Sequence, residues 1–288
     1  MGETMHNPMR WENEESPDGI FLGPAEPGLS LLDLPTGLRA KAKPVIPTLT
    51  GEAAPLAELL HRLAGALKTH RLADAPVRFD LAGLSPANLR LLDQILGDGE
   101  VSMVLSGPVD VQVQESVLTG VWRLRATDAA GRLLGEVLEV ASVPTEVVEA
   151  ASMTRPEVAL PPLEAAEGTM NAFPLLTEIR HRAAEHREGE PNHVISFSLL
   201  PLSEADMAVI KATLGLGPVQ AVSGGYGTCR VVATGCRHVW SVQFLNARDT
   251  VILDTLEIGG VPAAIRASDE DFADSAERLA EILEAYAS

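Results

Sequence analysis

The sequence predicts an α/β protein of the α+β type: a tandem duplication of a mixed, largely antiparallel sheet module with packed helices, its two copies related by a pseudo-twofold. Three observations carry this. Residues 79–144 align with residues 197–262 at a constant offset of 118, with 19 identities in 66 positions. The matches include Phe79/Phe197, Gly97/Gly215, Gly99/Gly217, Trp122/Trp240, Glu139/Glu257 and Pro144/Pro262, a set of residues that chance does not hold in register. Each copy also runs through helical and strand periodicity in the same order. Finally, 46% hydrophobic against 22% charged residues over 288 positions leaves enough apolar side chains to build a core in each half.

Residues 1–50 are polar, acidic and rich in Pro and Gly, with a few apolar points such as Ile20-Phe21-Leu22 and Leu31-Leu32. They read as a flexible N-terminal arm, because little apolar surface there offsets the entropy of ordering. The first α/β repeat spans 51–150 and opens with a helix over 55–72. A strand follows, then a short helix with Ser85 as N-cap, Pro86 at its first position and Gly97 as its stop. Leu89, Leu92 and Leu96 form its apolar stripe. Val109, Val111 and Val113 alternate with polar residues at the period of a half-buried strand, and Asp128-Ala-Ala-Gly131 has hairpin-turn chemistry. Residues 151–172, with Pro156, Pro161 and Pro162, read as a linker. The second repeat, 173–288, repeats the pattern: a helix over 174–188, a cap at Ser203 with Asp206 three residues on, and a stripe of Met207, Ile210 and Leu214. Gly215 ends that helix, and Asn246-Ala-Arg-Asp249 forms the hairpin turn. It closes with a helix capped by Ser268 and Asp271, with Phe272, Ala276, Leu279, Leu283 and Tyr286 on one face.

The charge balance narrows the function classes. A formal net charge of −18 repels phosphate backbones and excludes nucleic acid as a partner, while favouring a basic protein segment. No run of about 18 apolar residues is available to enter a membrane. The N-terminal sequence lacks the basic start and apolar core of a secretory signal. Two cysteines are too few for a disulfide scaffold, so a cytoplasmic protein with reduced thiols is expected.

Comparing the copies separates scaffold from specialisation. Trp122 and Trp240 are shared and are expected to pack in the core. The sharpest divergence is SGGYGTCRVVATGCRHVW (223–240) against LSGPVDVQVQESVLTGVW (105–122). The second copy has gained Tyr226, Gly227, Cys229, Arg230, Cys236, Arg237 and His238.

The run LLPLSEADMAVIKATLGLGPV, then GGYGTCRV, then VWSVQFLNARDTVILDTLEIGGVP, then DEDFADSAERLAEILEAY resembles the C-terminal domain of the HupH/HyaF hydrogenase expression/formation family. The resemblance covers roughly residues 195–286. The chain departs from the family pattern at Gly224, where Arg is common, at His238, where Asn is common, and at Ser241, where an aromatic is common. The resemblance implies a non-enzymatic accessory chaperone for [NiFe] hydrogenase maturation. Its partner would be the iron–sulfur small subunit precursor before export, and other maturation proteins could join it.

The alternative is a small metal- or Fe–S-cluster-carrying redox protein using Cys229, Cys236 and His238. Thiolate and imidazole suit zinc or iron, but a closed site needs four ligands and the usual C-x-x-C pairs are missing. Cys229 and Cys236 align with Val111 and Leu118, so buried thiols are expected, with no metal or other cofactor. SGGYG has no following Lys-Ser/Thr and leads into a strand, so it is not a phosphate loop. His61, His70, His181 and His186, on the two equivalent helices, are expected to face solvent. The expected partner-binding residues are Gly225, Tyr226, Gly227 and Arg230, with Gln243 and Asn246 beside them. A binding surface needs only one copy, and the family motif falls in the second.

Overall fold

Six helices and ten strands account for the described residues, 49–162, 168–225 and 227–287, of the computed structural model. Residues 1–48 of the expected arm, and Tyr226, lie outside them. The first half runs α1 (Ala54–Thr69), β1 (Val77–Asp80), α2 (Pro86–Leu96), β2 (Val101–Leu105), β3 (Asp110–Glu115), β4 (Val121–Thr127), β5 (Leu133–Val140) and α3 (Thr145–Ser152). The second runs α4 (Ala172–Glu185), β6 (His193–Ser196), a 3-10 turn (Phe197–Leu199), α5 (Glu204–Leu214), β7 (Leu216–Ser223), β8 (Thr228–Thr234), β9 (Val239–Leu245), β10 (Val251–Ile258), a 3-10 turn (Ala263–Ile265) and α6 (Asp269–Ala287).

The strands form one antiparallel sheet in the order β1-β5-β4-β3-β2-β7-β8-β9-β10-β6, so each half contributes the same order read from its own edge. At the join, Met103 faces Ala221, with Val101 opposite Ser223 and Leu105 opposite Val219. Ser106 N donates to Pro218 O and Gly224 N donates to Glu100 O, both at 2.9 Å. All these pairings exchange under the offset of 118, as a twofold through the Met103–Ala221 pair requires. Trp122 lies opposite Glu139 and Trp240 opposite Glu257. One equivalence differs from the ungapped alignment. Phe79 faces Leu138, but Ile195, not Phe197, faces Leu256. The edge strands therefore correspond at an offset of 116, and the two extra residues of the second half are taken up around the 3-10 turn.

Side-chain alternation along the strands divides the core between two faces. On one face, α1, α2 and α6 cover Phe79, Val121, Leu138 and Val140. On the same face of the other half, α4 and α5 cover Ile195, Val239, Leu256 and Ile258. The opposite face buries Met103, Val113, Trp122, Leu124, Ala221, Val231, Trp240 and Val242 under Val147 of α3 and Ile265. Both tryptophans are core residues, as expected, and Trp122 Nε1 donates to Ala141 O at 2.8 Å. The C-terminal helix packs on the first half, with Phe272 and Leu279 fully buried among α1 and α2 side chains. Conversely, the segment after α3 runs to the second half: Arg155 N donates to Gly235 O, Arg237 N donates to Arg155 O, and Val158 is buried beside α4 and α5. Each half's tail thus crosses to the other half.

The caps follow the sequence signals. Ser85 Oγ accepts from Asn88 N, and Ser203 with Asp206 forms a reciprocal capping box. Ser268 and Asp271 do the same for α6. Asp128 Oδ1 accepts from Ala130 N and Arg132 N, and Asn246 Oδ1 from Arg248 N and Thr250 N, which closes the two equivalent hairpins. Two backbone positions show the correspondence most sharply. Gly120 (φ 84) and Gly131 (φ 75) lie in the left-handed region, and their equivalents His238 (φ 64) and Asp249 (φ 57) hold the same conformation although they are not glycine.

Candidate functional site

Between the helices of the two halves, the central strands carry polar residues on the helix-bearing face. In the first half Arg125 Nε pairs with Glu136 at 3.0 Å, and Arg123 joins Glu136 at 2.7 Å and also pairs with Asp93 of α2. In the second half the equivalent positions are Gln243 and Asp254, joined by a hydrogen bond from Gln243 Nε2 at 3.3 Å. Arg230 lies opposite Gln243 on β8. It is 7% exposed, and Gln243 is 2% exposed. Burial lowers the Arg230 guanidinium pKa, against the opposing pull of Asp249.

The six sequence-predicted site residues therefore divide. Arg230 and Gln243 come together as part of the sheet's polar strip. Gly225 and Gly227 lie in the exposed turn between β7 and β8, which sits against Glu100 of the first half. Gly227 has φ 125, a conformation that requires glycine. Tyr226 is outside the described residues. Asn246 lies in the β9–β10 hairpin, its side-chain oxygen engaged in the turn. Val222 faces Arg230 across the β7–β8 ladder, which links the turn to the strip.

The residues of the alternative metal site do not converge. Cys229 packs in the central core with Val231 and Ala221, while Cys236 packs with the α4 and α5 side chains, its Sγ 3.5 Å from Leu214 O. Burial pushes the Cys229 thiol up to about 12, and Glu257 adds to the shift. Burial raises Cys236 too, against the Arg155 charge. Protonated thiols of this kind are poor ligands and poor nucleophiles. No group of three or more His, Cys, Asp or Glu side chains that could hold a metal occurs among the described residues. No helix among them is long and apolar enough to cross a membrane.

Two histidines expected in solvent are elsewhere. His70 is 3% exposed, its ring edge-on to Phe272 of α6 with centroids 4.7 Å apart. His186 is half-buried, its ring 5.0 Å from that of His238. Both follow from tertiary packing at the C-caps of α1 and α4, which helical spacing does not encode. Sequence reasoning also missed Asp206 as more than a cap. Its Oδ1 accepts from Met170, Asn171 and Ala172 N at 2.8–3.0 Å, so one carboxylate terminates both α4 and α5. Burial would raise this carboxyl, but the hydrogen bonds from Ser203, Asn171 and Ala172 outweigh it and hold the group below the usual carboxylate range.

The model of the HupH hydrogenase expression protein C-terminal conserved region matches this chain twice, over residues 52–154 and 169–286. The hydrogenase expression/formation protein HupH of Rhizobium leguminosarum bv. viciae is 46% identical over 280 residues, covering 93% of this chain and 98% of the relative. The hydrogenase-1 operon protein HyaF of Escherichia coli K12 is 32% identical over 207 residues, covering 70% of this chain and 71% of the relative. Among solved structures, the hydrogenase expression protein HupH from Thiobacillus denitrificans is 28% identical with a TM-score of 0.36, covering 41% of this chain and 98% of that one. With matches in both halves and relatives aligned over most of their length, this chain belongs to the HupH hydrogenase expression/formation family.

Proposed function

We propose that the protein is a cytoplasmic, non-enzymatic accessory factor in [NiFe] hydrogenase maturation that binds the iron–sulfur small subunit precursor before export. The observation that carries the hydrogenase link is the 46% identity to a hydrogenase expression/formation protein over 98% of that relative. The geometry supports binding over chemistry: both thiols are buried with raised pKa values, and the glycines of the β7–β8 turn are exposed. The exposed Gly225–Gly227 turn beside the sheet's polar strip is the contact surface, with Tyr226 as its anchor. Arg230 and Gln243 support the turn from the sheet. Affinity capture from a hydrogenase-producing cell tests this. The wild-type protein should retain the small-subunit precursor, and Tyr226→Ala should lose it at near-normal stability, whereas Pro108→Ala in the first half should keep it. Retention by Tyr226→Ala, or loss only with the first-half change, overturns the assignment of the surface.

A further inference from the structure

The two halves treat the corner after their first helix differently. α1 ends at His70-Arg71 and α4 at His186-Arg187, equivalent at the offset of 116 that the edge strands obey. In the first half α6 fills this corner. The Asp269 carboxylate accepts from Leu72 N at 2.8 Å, and Phe272 packs on His70 and closes over Gly120. In the second half His238 stands at the position of Gly120 and brings its ring to His186. Beside this pair a polar cleft of about 630 Å³ is walled by Arg182, Glu185, His186, Arg187, Glu190, His193 and Ile258 among others, with no residue of α6 or of the segment after α3 in its lining.

The cleft lacks the acidic excess of the chain: Arg182 and Arg187 on its wall balance Glu185 and Glu190. Net charge is −18, yet among the described residues neither Arg182 nor Arg187 has an ion-pair partner. His181 and His193 instead hold Glu185 and Glu178, each at 3.0 Å. Basic residues near a helix C-terminus complement its dipole, which accounts for their presence but not for a cleft beside them. We propose that this cleft docks an acidic segment of a partner protein, one carboxylate seated at the His186-Arg187 corner as Asp269 is seated at the first-half corner. The molecule carries its own template for the occupant: the first turn of α6 reads Asp269-Glu270-Asp271. Arginine's planar fork suits a carboxylate. Glu185 and Glu190 on the wall favour a singly charged carboxylate over a doubly charged phosphate. The surface is separate from the Gly225–Gly227 turn and stands whichever hydrogenase subunit the protein serves.

The test uses the full-length protein and a fluorescein-labelled peptide with the sequence of residues 268–280, carrying Ala in place of Phe272 because His238 takes that space. Fluorescence polarisation should show saturable binding that weakens about tenfold or more in Arg187→Glu and in Arg182→Glu. Both residues are exposed, and unchanged thermal melts would confirm folding. Binding should stay within about twofold in Arg90→Glu, a surface charge on α2, and be absent for a peptide with its carboxylates amidated. Absence of saturable binding overturns the proposal, as does an equal loss in Arg90→Glu, which marks diffuse attraction. Displacement by inorganic phosphate at concentrations matching the peptide reassigns the cleft to a free oxyanion. A rise in affinity when Glu12, Glu14 and Glu15 become Gln reassigns it to this chain's own N-terminal arm.

Discussion

Glu115 shows how one buried group carries a pH dependence. It is 4% exposed at the end of β3, and its Oε1 accepts from Gly120 N at 3.3 Å. Burial raises its carboxyl to about 7, partly opposed by the Gly120 and Val101 backbone bonds. Its contribution to stability is therefore fully present below the unfolded value near 4.5 and is lost as pH rises through about 7. At about 1.4 kcal/mol per pKa unit, the swing is about 3 kcal/mol. Glu115→Gln keeps the acceptor and removes the titration. Denaturant melts should show the variant near wild type at pH 4.5 and more stable by up to that amount at pH 7.5. Parallel pH profiles would show that Glu115 does not titrate in this range. Local patterning does not mark this residue, because its second-half equivalent is Ala233 and its neighbours Gly120 and Asp271 of α6 meet only in space.

Among the elements, the helix starts at Asp206 and Asn88 are the most exposed to single changes. Asn88 N binds the Ser85 cap and its Nδ2 donates to Glu52 O at 3.1 Å, tying α2 to the start of α1. Asp206 does the equivalent work with a carboxylate, accepting three backbone N–H groups at the start of α4 and two donors from Ser203. Asp206→Ala leaves these donors without their acceptor and should cost about 2–4 kcal/mol, against about 1 kcal/mol for Asn88→Ala. Chemical denaturation of the two variants checks the ranking, and equal losses would count against the double cap. Asp206 was legible as an N3 acid from the spacing Ser203–Asp206. Its service to α4, some 35 residues earlier, was not, because capping patterns report only local donors.

At the scale of the whole molecule, the crossed tails make each half depend on the other. Phe272 and Leu279 of α6 are fully buried on the first half, each contributing about 1.5–3 kcal/mol. Ending the chain at Arg266 should therefore loosen α1, not α4 and α5. Native-state hydrogen exchange should show the amides of Leu59, Leu60 and Leu63 losing protection by about tenfold or more, while those of Ile179 and Ile210 keep theirs. Equal loss in both halves would mean that the halves unfold as one unit and that the location of α6 does not set local stability.

By itself the sequence determined the repeated element order, the caps, the hairpin turns and the strand alternation. Each of these is written in residues a few positions apart: Ser85 with Asn88, Asp128 with Gly131, and Val111 with Val113. The same locality made the buried cysteines readable, since their equivalents in the first half are apolar. Only the tertiary structure decided that the two sheets join as one through Met103 and Ala221, that α6 serves the first half, and that Arg230 and Gln243 are buried. It also decided that His70 and His186, equal in sequence, meet a phenyl ring in one half and an imidazole beside an open cleft in the other. The reason is that burial and charge pairing depend on which distant surface arrives at a position. A helix stripe specifies that one face must be covered, but not which half of the sheet will cover it.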